Sequence, residues 1–164
     1  MITPWCAGML DGPLSTTGHA SMCDYCDCRT RPPLERLGRD HERIVGAAQR
    51  LRARFHADDM AVRLDARALQ RLLEDHDRLE EAGLYAELDR VGLGTAGLRA
   101  DHEAIHAILG AAADGSAIES SSVLRALDQL EEHIHREEYD LFPAAHQVIE
   151  DAGWDRIEQA LEVG

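Results

Sequence analysis

Histidine and carboxylate recur in this sequence at a spacing suited to holding a metal. Asp40-His41-Glu42-Arg43-Ile44 is echoed by Asp101-His102-Glu103-Ala104-Ile105. His76-x-x-x-Glu80-Glu81-x-x-Leu84-Tyr85 is echoed by His133-x-x-x-Glu137-Glu138-x-x-Leu141-Phe142. The separations agree too, with 35 residues from His41 to His76 and 31 from His102 to His133. Residues i and i+4 of a helix share a face, so His76 and Glu80 point the same way, as do His102 and His106. Burying such groups without a partner is costly, because an ionised carboxylate loses its hydration. A metal ion removes that cost by binding neutral imidazole and carboxylate directly. A single histidine in an apolar stripe is ordinarily structural. Five at helical spacing, repeated, with carboxylates on the same faces, form a ligand pattern. Mixed nitrogen and oxygen donors suit iron or manganese better than zinc.

Helices must position these groups. A first helix is expected from about Leu34 to His56, behind Pro32-Pro33, with the stripe Leu37, His41, Ile44, Ala48, Leu51 and Phe55. Its alternating steps of four and three are the seam of a packed bundle helix. A second starts near Asp58-Asp59, ends before Gly92-Leu93-Gly94 and carries Leu69, Leu72, His76, Leu79 and Gly83. A third starts near Thr95, a suitable N-cap, runs to about Ala113 and carries Leu98, His102, Ile105 and Leu109. A fourth follows Ser120–Ser122 with Leu127, Leu130, Ile134 and Leu141, and Pro143 should kink or interrupt it. Asp151–Val163 adds a short amphipathic helix through Trp154, Ile157 and Leu161. No window alternates as a half-buried strand would. The expected fold is all-α, an antiparallel up-down four-helix bundle made of two pseudo-repeated helical hairpins. Residues 34–164 form the bundle, and 1–33 form a flexible, cysteine-bearing N-terminal segment.

The composition narrows the function classes. The 164 residues hold 17 Lys+Arg against 31 Asp+Glu, a formal charge of −14, with nine histidines and 4% aromatics. That charge argues against nucleic acid and anionic membrane as partners. No apolar run approaches the ~18 residues of a membrane span, and the first residues lack the basic and apolar regions of a signal peptide. The expected location is cytoplasmic.

The ordered series His41, His76-x-x-x-Glu80, His102-x-x-x-His106 and His133 followed by Glu137, Glu138 and Leu141-Phe142-Pro143 resembles the hemerythrin-like (HHE cation-binding) family over about residues 34–146. What the resemblance implies is a non-haem pair of iron ions, oxo- or hydroxo-bridged, held by five histidines and two bridging carboxylates. Two octahedral ions offer about 12 positions, and this set leaves one open for dioxygen or another small ligand. The family's last carboxylate often lies five residues after its histidine, which selects Glu138. The internal repeat selects Glu137, and Glu138 stands slightly ahead. The implied function is binding or sensing of dioxygen or nitric oxide, with a di-iron peroxidase, catalase-like or iron-repair role in oxidative or nitrosative stress as the alternative; the partner is then a small diatomic ligand or peroxide. Two other arrangements compete. His102-Glu-Ala-Ile-His106 is literally HExxH, but the metzincin glycine spacing is absent and Glu42 repeats Glu103 without a second histidine. Glu103-x-x-His106 and Glu132-x-x-His135 fit a ferritin-like carboxylate bundle by spacing, but leave His41 and His76 unexplained.

Cys6, Cys23, Cys26 and Cys28 all lie in the first 33 residues, the last three as CxxCxC. In a cytoplasmic setting a structural disulfide is disfavoured; flexible thiols, a second metal set or redox exchange are the options. Met22, just ahead of them, is a second candidate start. His19, His56 and His146 have no repeat counterpart and are expected to be structural or exposed, and His135 to face solvent. Tyr85 and Tyr139 are placed near the site or in the core.

Overall fold

The computed structural model describes residues 31–54 and 59–162, and among them there is no strand. The cysteines, His19, Phe55 and His56 lie outside the described residues. The helices are α1 (Pro32–Arg54), α2 (Asp59–Glu80), α3 (Ala86–Arg90), α4 (Ala96–Asp114), α5 (Ser120–Arg136), α6 (Phe142–Val148) and α7 (Asp151–Glu162). Two π-helical turns, Glu81–Tyr85 and Glu137–Leu141, join α2 to α3 and α5 to α6. The second and fourth expected helices are therefore each interrupted just past their HxxxE. Pro143 falls in the first turn of α6, where its missing N–H costs nothing.

Contacts between opposite ends show how the long helices run. His41 and Arg54 of α1 meet His76 and Asp65 of α2, so these helices are antiparallel. Arg67 of α2 donates to the Ala113 carbonyl at 2.9 Å while His102 of α4 meets Glu81, so α2 and α4 are antiparallel as well. Asp101 near the start of α4 binds Arg136 at the end of α5. Arg52 of α1 reaches Asp128 of α5, and His41 reaches Glu138. The four helices thus close a ring, each antiparallel to its neighbours.

The glycines at the two tight turns are required by backbone geometry. Gly92 (φ 86°) and Gly115 (φ 76°) sit in the left-handed region. At each, the following residue bonds back five positions in the chain, Leu93 to the Leu88 carbonyl and Ser116 to the Ala111 carbonyl, the Schellman way of satisfying a helix end. Thr95 is the N-cap residue of α4, as its type suggests, but its side chain makes no capping bond. Its backbone N–H and its hydroxyl both donate to Asp89 Oδ1 at 2.9 Å, tying the start of α4 to the end of α3.

The core falls into two apolar clusters. One is built on Ile44, Leu51, Leu69, Leu73, Ile105, Leu109, Leu127 and Leu130. The other gathers Leu34, Leu37, Leu84, Tyr85, Phe142, Trp154 and Ile157, so it includes α7. Between them lies a layer of buried polar side chains, described below. Among the described residues no helix is long and apolar enough to cross a membrane.

α7 is held over the bundle end by polar contacts as well as by Trp154 and Ile157. Arg156 Nε donates to Glu87 Oε2 at 2.9 Å. That guanidinium, with Arg90, holds the buried Glu87 carboxyl below the usual carboxylate range. A depressed folded value adds stability above the ordinary carboxylate pKa and loses it as pH falls through the lowered one. Glu87→Gln is therefore expected to lower the melting midpoint by a few degrees at neutral pH. The gap to wild type should close below about pH 4. Circular dichroism melts across pH check this, and a gap independent of pH would refute it.

Candidate metal centre

The polar layer is built from one histidine on each of the four long helices. His41 (α1) and His76 (α2) face each other with Nε2 atoms 3.1 Å apart. His102 (α4) and His133 (α5) do the same at 2.8 Å. All four are buried, as are Glu80 and Glu137, both fully. Glu137 lies between the two pairs, 3.2 Å from His41 Nε2 and 3.1 Å from His133 Nε2. Glu80 sits opposite, 3.7 Å from His76 Nε2 and 3.9 Å from His102 Nε2. Two four-residue groups result, His41–His76–Glu80–Glu137 and Glu80–His102–His133–Glu137, each with its donor atoms within 4.8 Å of one another. They share both carboxylates.

The donor set fits metal. Two imidazole nitrogens at about 3 Å can share only one proton, so facing lone pairs are the geometry of ligands converging on a cation. Both oxygens of Glu80 have no hydrogen-bond partner. Buried carboxylate oxygens without donors are costly, and a cation between them satisfies both.

The second glutamate of each Glu-Glu pair plays a different part. Glu81 Oε1 lies 2.8 Å from His102 Nδ1, and Glu138 Oε1 lies 3.1 Å from His41 Nδ1. A carboxylate on Nδ1 keeps the proton there and leaves Nε2 free to bind, which fixes the ring's orientation and raises its basicity. Each outer glutamate thus serves the histidine of the next helix around the ring. Asp101 stands 3.6 Å from His133 Nδ1.

The π-helical turns bring aromatic rings onto the layer. At about 100° per residue, Tyr85 would lie on the opposite face of a regular helix from His76, nine residues back. Absorbing one residue in the turn swings it to within about 80°, beside Glu80. Tyr85 then stacks on His102 (5.6 Å, 13°), and by the same device Phe142 stacks on His41 (5.6 Å, 8°). The halves differ in one atom: the Tyr85 hydroxyl donates to Glu137, and Phe142 has no hydroxyl to offer Glu80.

Burial pushes the Glu80 carboxyl well above the usual range, and the neighbouring Glu137 charge adds to it. Burial would also raise Glu137, but hydrogen bonds from His133 and His41 outweigh it and hold its carboxyl well down. Burial lowers His41, yet its bonds to Glu137 and Glu138 lift it to about 9. His76 is driven well below the ordinary histidine value by burial and then by the His41 charge. Burial, with both carboxylates, pushes the Tyr85 hydroxyl far up, so it remains a donor.

Six of the eight expected site residues come together, and two do not. His106 lies outside the layer, a quarter exposed, with Nε2 on Asp77 Oδ2 at 2.8 Å. Its ring is engaged by Asp77 of α2, and it joins neither ligand group. Asp77 accordingly holds the His106 imidazole above its usual value. Glu138, favoured by the family spacing, lies outside the ligand groups and supports His41; Glu137 lies inside. Sequence reasoning missed Glu81, Asp77 and Asp101 as partners of the histidines. The repeated second glutamate was a signal for Glu81, whereas Asp77 has no counterpart in the other copy, where Ile134 stands. His135 is exposed, its ring 4.3 Å from Tyr139, and His146 is partly exposed.

Comparison with protein families finds one that matches residues 32–145, the Hemerythrin HHE cation binding domain. Comparisons with curated proteins and with solved structures returned no match.

Proposed function

The chain belongs to the hemerythrin HHE cation-binding family, and on that premise we propose that it holds two iron ions and binds a small diatomic ligand, dioxygen or nitric oxide, beside them. The observation that carries this is the pair of four-residue groups sharing Glu80 and Glu137. His41 and His76 would hold one ion, His102 and His133 the other, and the two glutamates would bridge them. The two hairpins, α1 with α2 and α4 with α5, then act as the halves of a pseudo-twofold site. Of about 12 octahedral positions, four histidines and two bridging carboxylates fill about eight. An oxo or hydroxo bridge takes two more and leaves room for a ligand. When bound, the iron pair supplies that open position and the electrons that make ligand binding reversible.

The protein's share is binding, orientation and exclusion. Glu138 and Glu81 orient His41 and His102 through Nδ1. Tyr85 holds a proton on its hydroxyl and donates it to Glu137. A cavity of about 10 Å³ lies against His76, His102, His133 and Asp77, walled otherwise by Ile44, Leu73, Ile105, Leu130 and Ile134. That is about the space of one water molecule. Apart from the imidazoles and Asp77 its wall is aliphatic, which favours a neutral diatomic over a polar peroxide and supports binding rather than peroxide turnover. The proposal includes a reducing, cytoplasmic setting, in which the cysteines stay thiols.

Elemental analysis for iron, manganese and zinc, with absorption spectra before and after anaerobic addition of dioxygen or nitric oxide to the reduced protein, tests this. About two irons per chain and a reversible ligand-dependent band are expected. Zinc in place of iron, or no reversible band, would overturn it.

A further inference from the structure

We propose that the cleft between α1 and α2 is a binding site for a small oxyanion carrying two or more negative charges, seated next to the metal centre. The cleft has a volume of about 440 Å³ and four arginines line it, Arg36, Arg39 and Arg43 from α1 and Arg78 from α2. In a chain with 17 basic residues and a formal charge of −14, that is a local reversal of sign. Two aspartates, Asp40 and Asp75, line it as well. Each is engaged by an arginine of its own helix, Asp40 by Arg43 at 2.9 Å and Asp75 by Arg78 at 3.1 Å. Arg39 pairs with Glu35, and Arg36 donates to the Leu161 carbonyl at 2.6 Å. Arg39, Arg43 and Arg78 are more than half exposed, so their ion pairs are weak and solvated. A guanidinium has five donors, and these pairs leave most of them for a ligand. Even with Glu35 counted beside the two aspartates, the four arginines leave a positive excess, and their unused donors suit an oxyanion with several acceptor oxygens.

The second observation is His76, which also lines the cleft. It is 4% exposed, its Nε2 faces His41, and its Nδ1 has no partner. Nδ1 of His41 and of His102 each meets a carboxylate at hydrogen-bond distance, Glu138 and Glu81, while His133 Nδ1, 3.6 Å from Asp101, has no hydrogen-bond partner either but does not line the cleft. A neutral imidazole that offers Nε2 to a cation carries its proton on Nδ1 and needs an acceptor there. An oxyanion drawn in by the arginines supplies for His76 what Glu138 and Glu81 supply for His41 and His102. This last step rests on the metal reading; the arginine cleft does not.

Calorimetric titration of the full, metal-loaded chain with inorganic phosphate, and separately with the weakly chelating tricarboxylate tricarballylate, tests the site and tells a phosphate from a carboxylate ligand. One-to-one binding of at least one of them, weakened by added salt, is expected. Arg39→Gln/Arg43→Gln should weaken it at least about tenfold, as should Arg78→Gln alone, and Arg39→Lys/Arg43→Lys should restore part of it. Arg125→Gln, on the exposed face of α5, should bind like wild type. Metal content and helicity are measured on every variant. Arginine-dependent binding that survives removal of the metal would leave the cleft standing and count against the part played by His76. No binding of either anion, or equal binding by the double variant, as when phosphate sits on the metal itself, would overturn the proposal.

Discussion

Replacing His76 or His133 by alanine is expected to strip the protein of its metal and, in the same step, lower its melting midpoint by about 10 °C. The two losses come together because the polar layer interrupts the core between two apolar clusters. With metal, Glu80 and Glu137 are ligands. Without it, both oxygens of Glu80 are buried with nothing to bind. Each buried polar atom left without a partner costs roughly 1–3 kcal/mol, and in a domain of this size each kcal/mol is worth about 2–4 °C. Chelated wild type should melt close to the alanine variants, which separates loss of metal from loss of the imidazole's packing. His106→Ala and Glu138→Gln mark the edge of the site. His106 pairs with Asp77 outside the ligand groups, and Glu138 touches His41 only at Nδ1. Both variants should retain metal, the second with lower affinity because His41 loses its orienting acceptor. Elemental analysis and thermal melts on the same samples check all four. Full occupancy in His76→Ala and His133→Ala would remove those residues from the site.

The contrast between His106 and Glu137 shows what the sequence could and could not specify. Two lines of reasoning pointed at different residues. Family spacing favoured His106 and Glu138; the internal repeat favoured Glu137 and offered Val45, not a histidine, opposite His106. The residues that the structure gathers are the ones that the repeat pairs. A twofold arrangement of helices demands equivalent ligands from each half, so the repeat carries geometric information that single spacings do not. The helices themselves were legible because apolar stripes at steps of three and four bury one face, as Leu37, Ile44, Ala48 and Leu51 do. The π-helical turns were not. No residue type announces one, and a regular 3.6-residue period puts Tyr85 and Phe142 on the wrong side of their helices. Their stacking on His102 and His41 could be seen only once the backbone register was known. Thr95 is a smaller case of the same limit: its type suits an N-cap, but Asp89, six residues earlier, takes its hydroxyl. The cleft arginines were equally hidden, because α1 and α2 contribute them from separate stretches of sequence.

Loading the metal-free protein near neutral pH should release about two protons per chain from the protein itself. In the metal-free site His41 carries a proton, since hydrogen bonds to Glu137 and Glu138 lift its value to about 9 against the burial that lowers it. Glu80 carries another, because burial and the Glu137 charge push its carboxyl well up. His76 and Glu137 are already deprotonated, with values well below their ordinary ones. Metal must displace the first two protons, so its affinity should fall by about 100-fold for each unit of pH lost in this range. Stability is linked in the opposite sense in the metal-free form. A group whose folded value is raised stabilises the fold below its unfolded value and loses that contribution as pH rises through the folded one. Between about pH 6.5 and 9, His41 therefore weakens the metal-free protein as pH climbs, and Glu80 acts in the same direction from the ordinary carboxylate range upward. The loaded protein keeps its stability across that window and loses it only in acid, where protons compete for the ligands. Titration of metal into weakly buffered protein with an indicator dye counts the protons, and melts of both forms across pH give the two slopes. Glu80→Gln should cut the count to about one. A release near zero at pH 7, or parallel pH slopes for the two forms, would mean that Glu137 and Glu80 do not share the layer's charge as their surroundings dictate.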